Sequence, residues 1–207
     1  MASMQSLGLQ GESKRSDGRL KSIFWPAVDN AWDVDYLGQQ GFWICFFIGI
    51  SQFVFSLLTR NPLLIVIAAL TALIYLVGGM GVRERSWPAA AMVFACYLID
   101  TLYAIATGIL FTPGGVIKVV FLGLLLSNVR ATFIASEWRL AGEDEDRPTR
   151  FSETLRDKLV DAWPPKLWPP LQIPFYTLSG LWLLVSGIGV GILALARLGV
   201  LPTNPTH

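Results

Sequence analysis

Five long apolar runs constrain this chain more than any other feature. They lie at residues 41–58, 62–81, 87–110, 116–136 and 174–198. Because a helix rises about 1.5 Å per residue, about 20 apolar residues cross the ~30 Å hydrocarbon core of a bilayer. The composition agrees, since 53% of the 207 residues are hydrophobic and only 15% are charged. The sequence predicts an all-α, polytopic transmembrane helix bundle with about five spanning helices and two interfacial amphipathic helices.

The runs also predict how the chain is organised. Residues 39–136 form a four-helix transmembrane core and residues 174–198 a fifth transmembrane helix. Residues 1–22 are polar without a hydrophobic period, which predicts a disordered cytoplasmic tail. A short tail follows at residues 199–207.

The first amphipathic stretch, at residues 23–38, is predicted to be an interfacial helix. Trp25, Val28, Trp32 and Tyr36 follow one helical stripe. Trp and Tyr rings prefer the membrane interface.

The second amphipathic stretch belongs to a predicted cytoplasmic loop at residues 137–173. Its short helix would place four apolar residues on one face, namely Phe151, Leu155, Leu159 and Trp163. The following segment 164–170 contains four prolines. It predicts an extended strap that holds Trp168 at headgroup depth, and this structural role is favoured over a ligand for a proline-recognition module.

Positive charges orient the predicted bundle. Short loops rich in Lys and Arg stay in the cytoplasm. An inside N-terminus keeps most basic residues on that side and leaves mainly Arg60 and Arg197 outside. The alternative, a re-entrant fourth segment, would move the loop 137–173 outside. We expect a multi-pass protein of a prokaryotic inner membrane with a cytoplasmic N-terminus.

Polar residues inside the third and fourth runs form the candidate site. An ionised Asp near the centre of a spanning helix costs about 2.5 to 3.5 kcal/mol on insertion scales, so Asp100 needs a partner. An antiparallel turn at residues 112–115 would bring Asp100 level with Ser127. Ser127 lies about one helical turn from Arg130 and more than two turns from Lys118, so Arg130 is favoured over Lys118 as the partner of Asp100. The full predicted intramembrane cluster contains Asp100, Lys118, Asn128, Arg130 and Tyr103.

Small residues mark the faces through which the spans are expected to pack, because lipid gives helices no hydrophobic reason to associate. The predicted packing glycines are Gly49, Gly123, Gly187 and Gly191. Gly187 and Gly191 form a G-x-x-x-G motif, which serves either a homodimer or a close internal crossing. Internal packing is favoured.

The sequence carries no motif for a reaction, a cofactor or a metal. The single histidine is His207, and no His accompanies Asp29, Asp33 and Asp35. Cys45 and Cys96 fall inside apolar runs, which is typical of buried free thiols. The net charge of +1 gives no basic footprint for nucleic acid.

These features favour a non-catalytic membrane scaffold or accessory subunit over an enzyme. Its partners are the lipid bilayer and either other membrane subunits or a second copy. The alternative is a small proton- or ion-coupled transporter or channel that uses Asp100, since intramembrane carboxylates often mark such paths.

Overall fold

A computed structural model describes residues 25–111, 113–141 and 154–200. Helices account for 89% of these residues, and the described part of the chain contains no strand. Five helices are long and apolar enough to span a membrane. They are α1 (Ala31–Leu58), α2 (Pro62–Arg83), α3 (Trp87–Thr107), α4 (Pro113–Ala141) and α5 (Pro164–Arg197). The predicted all-α transmembrane bundle is confirmed.

Helix α1 differs from the predicted boundary between an interfacial helix and the first span. Residues 31–58 form one helix, which begins where the side chain of Asn30 accepts a hydrogen bond from the Asp33 amide. Its core face starts in the first turn, because Val34, Leu37 and Gly38 are buried. Trp32 and Tyr36 point outward, with 51% and 56% exposure. Two residues of the predicted stripe, Trp32 and Tyr36, therefore lie on the outward side of a spanning helix, while Trp25 and Val28 precede this helix and Val28 is buried.

The prediction of an extended proline strap is wrong. Helix α5 continues through Pro169, Pro170 and Pro174. An internal proline removes a hydrogen bond, yet transmembrane helices tolerate it when neighbouring helices support the backbone. Trp168 docks this part of α5 on α2, since it is 4% exposed and a Cβ added at Gly81 would lie 2.5 Å from its ring.

Two short helical turns precede α5 in place of the predicted amphipathic helix. Leu155–Asp157 forms one helical turn and Lys158–Ala162 a π-helical turn; Phe151, on the predicted face, lies outside the described residues. Thr154 and Asp157 form a reciprocal capping box. The hydrogen bond from the Thr154 hydroxyl, together with the Thr154 amide, lowers the pKa of Asp157.

The five helices alternate in direction, so the bundle has two ends. We call the end where α1 begins the N-side and the end where α1 finishes the far side. Helix α1 packs against α2 and α4, and α5 packs against α2 and α3. Near the N-side α2 meets α3 closely, because a Cβ added at Gly81 would lie 2.6 Å from the Ala89 Cβ.

Four charged residues form an ion-pair cluster at the N-side, here called the N-side lock: Arg83, Arg85, Asp35 and Asp161. Arg83, 3% exposed, donates hydrogen bonds to the Asp35 carboxylate at 2.6 Å and the Asp161 carboxylate at 2.5 Å. Arg85, 4% exposed, donates to the Ala31 carbonyl at 3.1 Å and lies 3.8 Å from Asp35. Two arginines and two aspartates balance in charge. They tie α1 and α2 to the π-helical turn before α5.

Candidate functional site

Asp100 and Lys118 form an ion pair between α3 and α4. The Lys118 Nζ donates to Asp100 Oδ2, and the ammonium also lies 5.6 Å from the centre of the Tyr97 ring. Both side chains retain some exposure, 36% for Asp100 and 25% for Lys118. Both residues also line a cavity, which is described below.

The prediction that Arg130 is the partner of Asp100 is wrong. Helix α3 ends at Thr107, and a 3-10 turn, Ile109–Phe111, leads into α4 at Pro113. The centre of the turn thus lies about three residues earlier than predicted, which shifts the register of α4 by about twice as much. Position 100 then lies opposite about position 120, which leaves position 118 about 3 Å away along the helix axis and within reach through the long lysine side chain.

The other predicted cluster residues lie elsewhere. Arg130 donates to the Pro26 carbonyl at 2.9 Å and stacks on Trp25, with 4.9 Å between guanidinium and ring centre. Asn128 is 1% exposed and donates to the Leu124 carbonyl at 2.9 Å. Tyr103 is 49% exposed. Of the five predicted residues, the structure brings only Asp100 and Lys118 together.

A cavity of about 510 Å³, here called the vestibule, lies beside this pair in the far-side half of the bundle. All five helices line it, with Ser51, Gln52, Phe55, Ser56, Thr59, Leu64, Ile67, Ala68, Thr71, Tyr75, Asp100, Lys118 and Trp182. Its inner end is at Tyr75, which meets Tyr97 edge-on at 6.3 Å between ring centroids. Closer to the N-side the helices pack on Cys45, Val93 and Cys96, each at most 1% exposed.

The vestibule wall combines apolar side chains with several hydrogen-bond acceptors. Four of its hydroxyls donate to carbonyls of their own helix, which leaves their oxygen lone pairs for the cavity; they belong to Ser51, Ser56, Thr59 and Thr71. The Asp100 carboxylate adds a further acceptor. Lys118, the Gln52 amide, the Tyr75 hydroxyl and the Trp182 indole N–H are potential donors among the lining residues. The lining therefore offers both donors and acceptors around the Asp100–Lys118 pair.

The four predicted packing glycines occupy different environments. A Cβ at Gly49 would lie 3.1 Å from the Ala72 carbonyl oxygen, at the crossing of α1 and α2. Gly123 is partly buried. A Cβ at Gly187 would meet only Ile99 at 3.6 Å, and one at Gly191 would meet no described residue within 4 Å. The G-x-x-x-G motif does not form the tight internal crossing favoured from the sequence.

The N-side lock was missed from the sequence. Arg83 and Arg85 carry the charge pattern of an ordinary cytoplasmic loop, and Asp35 resembles a solvated acid near a helix start. The spacing of apolar and small residues could have revealed it, because Val34, Leu37, Gly38 and Gly41 continue the core face of α1 back to the region of Asp35.

Among the described residues there is no group of three or more His, Cys, Asp or Glu able to hold a metal ion. The aspartates considered for such a site diverge, because Asp35 faces Arg83 while the Asp33 carboxylate accepts from the Asp29 amide. No protein family model, curated protein or solved structure matches the chain.

Proposed function

We propose that this protein is a non-catalytic accessory subunit that binds a transmembrane helix of another membrane protein through α5. The supporting observation is the unusual exposure of this helix. Only 6% of its most apolar stretch is buried within the bundle, against 39% for each of the other four spans. Its buried residues are Pro164, Trp168, Phe175 and Ser179, all in its first half.

The exposed half of α5 has a surface suited to helix packing. Gly180 and Gly191 face open space, and Gly187 has a single distant neighbour. Small residues at this spacing let a second helix approach closely, which is the main source of helix association in lipid. A partner helix on this face would complete the packing that the chain leaves open.

Purification with paired variants tests this role. The tagged full chain, extracted in mild detergent, should carry a stoichiometric membrane protein. Gly191→Leu should lose that protein because the new side chain blocks close approach. Gly189→Leu should retain it, since Gly189 is also open but lies about 160° around the helix. A monomer or homodimer without a partner contradicts the proposal, as does equal retention by both variants.

The vestibule supports a second candidate, an ion-coupled transporter in which Asp100 binds the coupling proton or cation. The partly exposed Asp100 carboxylate in the vestibule lining favours this alternative. Asp100→Asn should then leave expression unchanged and remove flux in proteoliposomes. Unchanged flux from folded Asp100→Asn protein contradicts this alternative.

We also propose that the N-side faces the cytoplasm of a prokaryotic inner membrane. Besides Arg83 and Arg85 of the N-side lock, this end carries three exposed basic residues, Arg156, Lys158 and Lys166. The far side carries Arg60 and Arg197. This distribution follows the rule that positive short loops remain inside.

A further inference from the structure

A second cavity, of about 380 Å³, opens between α1 and α4 on the N-side half of the bundle. We call it the lateral groove. Its lining comprises Tyr36, Gln39, Gln40, Trp43, Ile44, Phe47, Phe121, Leu124 and Arg156. From this lining we propose that the lateral groove binds one phospholipid with an anionic headgroup, independently of the partner proposed for α5.

The lining changes character along the groove. Arg156, Gln39 and Gln40 provide hydrogen-bond donors at the N-side end. Ile44, Leu124 and the edge-on pair Phe47 and Phe121, with ring centroids 5.8 Å apart, make the inner end apolar. This order matches a headgroup followed by an acyl chain.

The dimensions also match one leaflet. Helix α1 has 28 residues and is therefore about 42 Å long, which exceeds the ~30 Å hydrocarbon core. Its first turns lie at headgroup depth as a result. The 12 residues from Tyr36 to Phe47 rise about 16 Å, so the groove can hold a headgroup at its N-side end and the first part of an acyl chain within the same leaflet.

The charge of the lining selects the headgroup. Arg156 is exposed and is the one charged residue among those that line the lateral groove, which includes no carboxylate. A guanidinium donates well to the oxygens of a phosphodiester. A headgroup with a net negative charge gains this attraction, whereas a zwitterionic headgroup brings its own cation.

Native mass spectrometry of the full chain in nanodiscs with equal phosphatidylglycerol and phosphatidylcholine tests the proposal. Phosphatidylglycerol should be retained in preference. Arg156→Gln should reduce its retention about fivefold, the usual effect of one basic residue near an anionic lipid surface. Lys158→Gln removes an exposed charge two residues away that does not line the groove, and it should leave retention unchanged.

Photo-crosslinking locates the bound lipid. Phosphatidylglycerol with a diazirine in its acyl chain should modify peptides containing Ile44, Phe47 and Phe121 more than those from the exposed half of α5. The Arg156→Gln variant should lose this preference. Uniform labelling of all lipid-facing helices, or equal lipid retention by the two charge variants, would overturn the proposal.

Discussion

At the scale of single residues, the Asp100–Lys118 pair gives the sharpest prediction. Removing one partner leaves the other charge uncompensated inside the membrane. Lys118→Met should lower the unfolding free energy by about 1 to 3 kcal/mol, a value reduced from that of fully buried pairs because both side chains are partly exposed. Reversible unfolding in mixed micelles measures this change.

A double-mutant cycle separates the observed pair from the one favoured by the sequence. Asp100→Asn and Lys118→Met should couple by about 1 kcal/mol or more, whereas Asp100→Asn and Arg130→Gln should be additive within about 0.5 kcal/mol. Arg130→Gln has its own cost through Pro26 and Trp25, but no coupling to Asp100. Strong coupling of Asp100 to Arg130 would refute the observed register.

The need for a cation beside Asp100 could be predicted from the cost of its charge in lipid, but the identity of that cation could not. The choice depends on where α3 ends. Gly108, with φ of 80°, terminates α3 at a position that lies inside the apolar run 87–110. A shift of a few residues in the turn exchanges Arg130 for Lys118.

At the scale of helices, Gly81 marks one of the close contacts of α2 with its neighbours. A Cβ there would lie 2.5 Å from the Trp168 ring and 2.6 Å from the Ala89 Cβ. Gly81→Ala should therefore cost about 1 to 3 kcal/mol through overpacking. Gly191→Ala makes the same change in open space and should leave stability unchanged or raise it by up to about 1 kcal/mol. Equal effects of the two substitutions would contradict the packing of α2.

Two tryptophans test whether the proline-rich segment is a helix docked on the core. Trp168 is 4% exposed, and Trp163, just before α5, is 48% exposed. Trp168→Ala should cost about 3 kcal/mol in unfolding free energy because it empties a packed site. Trp163→Ala should cost less than about 1 kcal/mol. An extended strap would make the two substitutions similar.

The helices were predictable from the apolar runs, but two of their N-terminal boundaries were not. The aromatic stripe before residue 41 and the prolines before residue 174 both carry local signals for a break. Tertiary contacts override these signals, since Val34 and Leu37 bury the early face of α1 and Trp168 anchors the early part of α5. Local propensity cannot report such contacts.

At the scale of the whole molecule, the N-side and far side differ in construction. The N-side is closed by the Arg83 and Arg85 ion pairs and by packed side chains, while the far-side half contains the vestibule. The two proposed partners also lie on different surfaces. A lipid in the lateral groove would contact α1 and α4, and a partner helix would contact α5.

The five-span arrangement predicts that the vestibule and the N-side lock lie at opposite membrane surfaces. Single cysteines at Thr59, Thr154 and Val200, in a chain with Cys45 and Cys96 replaced by alanine, test it with a membrane-impermeant thiol reagent. Intact cells should label the cysteines at 59 and 200, and the one at 154 only after permeabilisation. The reverse pattern would contradict the proposed orientation alone. Labelling at 59 and 154 from the same side would contradict the five-span account.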